Sequence, residues 1–75
     1  MPKYVIGDIT VEVIDVRPTV GEYTIYAGKI WRVTSYFGSG SGNCKILERS
    51  LYNERIKVAN TEKLMLVVNQ THLHL

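Results

Sequence analysis

Apolar and polar residues alternate with a period of two over most of this chain, in short runs separated by turn formers. That period sends successive side chains to opposite faces of an extended segment, so the pattern predicts strands, and no stretch has the length and period of a helix. Ile9 to Val16 is the first run, with Ile9, Val11 and Val13 on one side and Thr10 and Glu12 on the other, until Arg17-Pro18 interrupts it. Glu22 to Ala27 is the second, with Tyr23, Ile25 and Ala27 sharing a face before a Gly28-Lys29 turn. Lys29 to Phe37 follows as a third, in which Trp31, Val33 and Phe37 are expected toward the core and Arg32, Thr34 and Tyr36 away from it.

The segment 38–43 alternates Gly with Ser and has no apolar side chain to anchor it, so it reads as a flexible hairpin loop. Cys44 to Leu51 makes a fourth strand, Tyr52-Asn53-Glu54 a turn, and Arg55 to Ala59 a fifth strand with Ile56 and Val58 inward. Asn60-Thr61-Glu62-Lys63 reads as a single helical turn with a polar cap, and Leu64 to Val68 as the strand that closes the sheet. Residues 1–7 and 70–75 are expected as loose tails.

With 75 residues, of which 45% are hydrophobic and 21% charged, the chain has the composition of one small folded domain spanning 1–75. Cys44 is the single cysteine, which excludes an intrachain disulfide and a Cys-based zinc site and fits a reducing compartment. No stretch approaches the roughly 18 apolar residues of a membrane span. The expectation is therefore a cytoplasmic protein without a membrane partner.

The order of these elements resembles the SH3-like small β-barrels: strands, a meander with a flexible hairpin, then a short helical turn before a closing strand. Locally, Gly28, Trp31, Val33 and the glycines of 38–42 are similar to the SH3-like domains of translation proteins, such as the N-terminal domain of elongation factor P. The run Lys29-Ile30-Trp31-Arg32-Val33 is similar to a segment of archaeal chromatin proteins of the same architecture. The loop carries no Lys or Arg at its tip and no KOW motif is visible. The resemblance implies an all-β, SH3-like small barrel of five to six antiparallel strands with one short helical turn before the last strand. Barrels of this type serve as RNA, DNA, peptide and assembly modules, so the fold leaves function open.

Nine Lys and Arg against seven Asp and Glu give a net charge of +2, too small to indicate a partner unless the cations cluster. Paired as a meander, the third, fourth and fifth strands would carry Arg32, Tyr36, Lys45, Arg49, Arg55 and Lys57 on their outer face, with Thr34 and Leu47 completing it. Such a face would neutralise phosphates, and Tyr36 could stack on an unpaired base. The same residues also read as an ordinary solvated sheet face, on which Lys and Arg discourage sheet association. A slip of one residue in register would exchange the two faces.

Catalytic chemistry finds no support in the sequence. The Gly/Ser loop is followed by neither a Lys-Ser/Thr pair nor a helix, as a phosphate-binding loop would be. Cys44 has no base beside it and reads as a buried structural thiol. His72 and His74 share one side of the tail without a third metal ligand, so neither a metal nor a cofactor is expected. The sequence therefore points to a non-catalytic binding module with nucleic acid as first partner. The alternative is a protein-interaction or assembly module, a homo-oligomer or subunit, working through its edge strands or the apolar Leu64 to Val68 region.

Overall fold

The computed structural model describes residues 2–39, 42–59 and 61–69, with side chains described outside 37–43. The described residues are all-β: seven antiparallel strands form one sheet that curls into a half-barrel, with one 3₁₀ turn. The strands are β1 (Lys3–Ile6), β2 (Ile9–Ile14), β3 (Tyr23–Tyr26), β4 (Lys29–Ser39), β5 (Gly42–Arg49), β6 (Glu54–Ala59) and β7 (Leu66–Val68). Their order across the sheet is β1-β2-β7-β3-β4-β5-β6. The last strand thus lies inside the sheet between β2 and β3, and the edges are β1 and β6.

Two hairpins are set by glycine chemistry. Gly7 (φ 62) opens the two-residue turn between Ile6 and Ile9, the pattern of a type II′ turn. Ala27 (φ 53) and Gly28 (φ 74) are both left-handed between the paired Tyr26 and Lys29, as a type I′ turn requires. The turn expected at Gly28-Lys29 thus lies one residue earlier, and the expected loose tail 1–7 holds β1. Val13 N–H donating to Pro2 O at 3.1 Å ties the start of the chain down further.

The 3₁₀ turn occupies Ser50–Tyr52, between β5 and β6, instead of preceding the last strand. Asn53 closes it in the left-handed conformation, its N–H bonding Ser50 O at 3.2 Å. The expected helical turn at 60–63 is, in its described part, a bend fixed by Glu62 N–H donating to Ala59 O at 3.0 Å. Ser39 still belongs to β4 and Gly42 to β5, so the strands consume most of the expected 38–43 loop. Positions 40 and 41 lie outside the described residues, as does the tail 70–75 with His72 and His74.

Buried apolar residues form two clusters. Val11, Val13, Ile30 and Val67 make one, flanked by half-buried Ile6, Ile9, Tyr23, Ile25 and Met65. Trp31, Val33, Leu47, Val58 and Leu64 make the other, flanked by Tyr26, Tyr36 and Ile56. Ile30 and Trp31 are neighbours in a regular stretch of β4 and so point to opposite faces; their partners Ile25 and Thr24 follow them. Each face is therefore apolar over a different half of the sheet. The first cluster covers one face of β1, β2, β7 and β3, and the second covers the other face of β4, β5 and β6. Opposite the second cluster, the outer face of the meander carries exposed Arg32, Arg55 and Lys57 around half-buried Glu48 and buried Ile46.

Thr24 and Trp31 satisfy their buried polar groups on main-chain carbonyls. Thr24, wholly buried, donates through Oγ1 to Met65 O at 2.7 Å, and the buried Trp31 donates through Nε1 to Tyr26 O at 2.8 Å.

Candidate nucleic-acid interface

The register of β4, β5 and β6 decides which side chains share a face, because directly paired residues point the same way. Between β4 and β5 the pairs are Arg32 with Glu48 and Val33 with Leu47, then Ser35 with Ile46 and Tyr36 with Lys45. Thr34 is an extra residue on β4, a bulge, and its Oγ1 donates to Ile46 O at 3.2 Å. Beyond the bulge the phase of β4 is reversed, so Tyr36 points to the same side as Trp31 and Val33.

The bulge and the true phase of β5 divide the six residues expected on one outer surface. Arg32, Arg55 and Lys57 do lie on that outer face and are exposed. Glu48, half-buried, stands between Arg32 and Arg55 in a cross-strand row, and Tyr23 continues the row on β3 beside Arg32. Lys57 pairs with the buried Ile46 one step along. With strands about 4.8 Å apart and same-face residues about 6.8 Å apart along a strand, the three cations stem from an area of roughly 10 by 7 Å. Neither Arg32 nor Arg55 forms an ion pair among the described residues.

Tyr36, Lys45 and Arg49 point the other way, toward the second cluster, and so does Leu47, which is fully buried. Tyr36 cannot offer a free ring: Arg17 stacks over it at 4.3 Å, and its hydroxyl donates to Pro18 O at 2.5 Å. Lys45 is only 4% exposed and its Nζ donates to Glu62 O. Burial first, and then the neighbouring Arg17 guanidinium, hold the Lys45 ammonium below the usual lysine range, against an opposing pull from Glu62. Arg17, Lys45, Glu62, Lys63 and Leu64 line a cavity of about 220 Å³.

Arg49 lies at the other end of the same face. Its Nη1 donates to Glu54 Oε1 at 2.7 Å, and its guanidinium lies 4.1 Å from the Tyr52 ring and 5.7 Å from Trp31. Lys29 bonds the second oxygen of Glu54 at 3.0 Å and also approaches the Trp31 ring, at 5.9 Å. Among the described residues Arg49 Nε is buried without a hydrogen-bond partner. Arg49 and Tyr52 border a cavity of about 480 Å³ completed by Ile6, Gly7, Asp8, Ile9 and Ile30. This arginine is committed to holding β5, the 3₁₀ turn and β6 together, and it is not free for a phosphate.

Other expected residues resolve more simply. Cys44 is a free, half-buried thiol rather than a buried one. Among the described residues no three His, Cys, Asp or Glu side chains are placed to hold a metal ion, and no helix is long and apolar enough to cross a membrane. Leu64 to Val68 is not an open edge, since β7 is flanked on both sides and Leu64 and Val67 are buried. Arg17 and Lys63 line the Lys45 cavity from connecting segments, where no alternation assigns a cation to a face.

Compared with models of known protein families, with curated proteins and with solved structures, the chain matches none.

Proposed function

We propose that this chain is an SH3-like small barrel acting as a non-catalytic nucleic-acid-binding module, and that Arg32, Arg55 and Lys57 form its phosphate-contacting face. The strand order supports the barrel assignment: the closing strand returns between β2 and β3, next to a sequential meander of β3 to β6. The observation that carries the interface is the common outward direction of Arg32, Arg55 and Lys57 on paired strands, with Glu48 the one carboxylate in the row. Because Tyr36 faces inward, stacking on this ring plays no part, and contact runs through phosphates without sequence preference.

Three phosphate contacts imply a slope of about −2.7 in log affinity against log salt on duplex DNA and about −2.1 on a single strand. Between 50 and 200 mM salt, duplex binding should weaken roughly fortyfold. The test is fluorescence anisotropy with labelled single- and double-stranded oligonucleotides across that range. Replacing Arg32, Arg55 and Lys57 together by Ala should abolish the salt-sensitive component in a protein that remains folded. Absence of binding at 50 mM salt or below contradicts the proposal.

One observation favours a second reading, assembly through an edge strand. Among the described residues β1 pairs only with β2, and it exposes Tyr4 at 41% and Val5 at 71%. An unpaired edge with apolar side chains is a template for another strand. That reading predicts a mass that rises with protein concentration and falls when Val5 is replaced by Lys, and neither effect depends on nucleic acid.

A further inference from the structure

We propose that the cavity bounded by Arg17, Lys45, Glu62, Lys63 and Leu64 is a separate binding site for a phosphate group, on the face of the sheet opposite Arg32, Arg55 and Lys57. Three cationic side chains and one carboxylate, Glu62, line it, and neither Arg17 nor Lys45 forms an ion pair among the described residues. Lys45 is buried and donates one of its three N–H bonds to Glu62 O; its other two donors have no partner among the described residues. Arg17 forms no ion pair there either, and its guanidinium is held in place by its stacking on Tyr36 at 4.3 Å. Lys63 reaches Asp15 at 3.1 Å, but both side chains are largely exposed, so the pair is weak and open to exchange.

The walls are fixed before any ligand arrives. Pro18 is buried and receives the Tyr36 hydroxyl, and Leu66 N–H donates to Val16 O at 2.9 Å, tying the Arg17 segment to the start of β7. Glu62 N–H on Ala59 O holds the opposite wall. Leu64, 5% exposed, supplies an apolar floor.

Charge decides the ligand class. Arg17, Lys45 and Lys63 outnumber the carboxylates that face them, Glu62 and Asp15, by one. A buried ammonium beside a guanidinium of the same sign is disfavoured unless an anion neutralises it, and of the three cations Lys45 is the buried one. The depressed proton affinity of Lys45 records the same tension. The space of about 220 Å³ is about seven times the share of one liquid water. A phosphate or phosphomonoester fits, because it presents several oxygens at once to an arginine and two ammonium groups.

The test follows thermal unfolding and backbone amide shifts of the whole chain as inorganic phosphate replaces chloride at constant ionic strength. Saturable changes at residues 16–18, 44–46 and 61–65, with a rise in Tm, are expected from ligand linkage. Lys45→Met and Arg17→Ala should each lose both responses. Lys45→Met should fold, since an apolar side chain in place of a buried charge is commonly neutral or stabilising. If it does not, Arg17→Ala decides alone, Arg17 being exposed. A response no larger than that of chloride, or one retained in both variants, overturns the site.

A parallel titration with an oligonucleotide distinguishes the source of the phosphate. Displacement of inorganic phosphate assigns the site to a nucleic-acid backbone, and undisturbed phosphate assigns it to a small phosphorylated molecule. The triple variant at Arg32, Arg55 and Lys57 should leave the phosphate response unchanged, so the two sites fail or succeed separately.

Discussion

Tyr36 and Lys45 face each other across β4 and β5, and both point inward. The bulge at Thr34 turns the first, and the phase of β5 turns the second. Tyr36 is anchored by its hydroxyl on Pro18 O and capped by Arg17, while Lys45 reaches Glu62 O. Tyr36→Phe removes one hydrogen bond from a partly buried carbonyl and should cost about 0.5–1.5 kcal/mol. Urea unfolding followed by Trp31 fluorescence measures it; an unchanged midpoint would mean that the hydroxyl is solvated.

Stability should depend on pH at both ends for separate reasons. The native Lys45 releases its proton at lower pH than an unfolded lysine. Between its lowered pKa and about 10.4 the unfolded state binds more protons, and stability rises with pH. Below that window the penalty is constant. The main-chain N–H of Thr19 and then its hydroxyl, at 2.8 and 2.7 Å, hold the Glu22 carboxyl below its usual range. That contribution is present above about pH 4.3 and is lost as pH falls through the native value. Denaturant midpoints from pH 2 to 10 should show both limbs, with Lys45→Met removing the alkaline one and Glu22→Gln reducing the acid one.

Ala27 adopts φ 53 in the β3–β4 turn, where its Cβ is strained and the preferred sequence is Asn-Gly. Ala27→Asn should stabilise the protein by about 0.5–1 kcal/mol, read as a raised Tm with unchanged oligonucleotide binding. A lowered Tm would mean that the turn is not type I′.

Leu47 and Arg55 separate the observed register from its one-residue slip. Leu47 is fully buried against Val33 and Val58, so Leu47→Ala should cost about 2–5 kcal/mol, much of the roughly 4–11 kcal/mol expected for a domain this size. Arg55→Ala, on the exposed face, should fall within about 0.5 kcal/mol of wild type. Equal effects at both positions would contradict the register.

The pattern of the sequence reveals the strands and hides one phase. β2, β6 and the Trp31 to Val33 part of β4 alternate, so the period groups Val11 with Val13 and places Trp31, Val33 and Val58 inward correctly. In β5 the adjacent Ile46 and Leu47 are both buried, and charges fall on both parities, with Lys45 and Arg49 on one and Glu48 on the other. Alternation then fixes no phase, and the wrong one puts Lys45, Leu47 and Arg49 outside. The Thr34 bulge carries neither Gly nor Pro to announce it. β1 was readable from the Gly7-Asp8 turn, since a two-residue turn with Gly first demands a strand on either side.

The most direct measurement is an amide-shift titration of isotope-labelled protein with an oligonucleotide at 50 mM salt. The shifts should centre on Arg32, Glu48, Arg55 and Lys57 and vanish in the Arg32, Arg55 and Lys57 triple Ala variant. Shifts confined to β1, or none at saturating oligonucleotide, would contradict the outer face of the meander as a nucleic-acid interface.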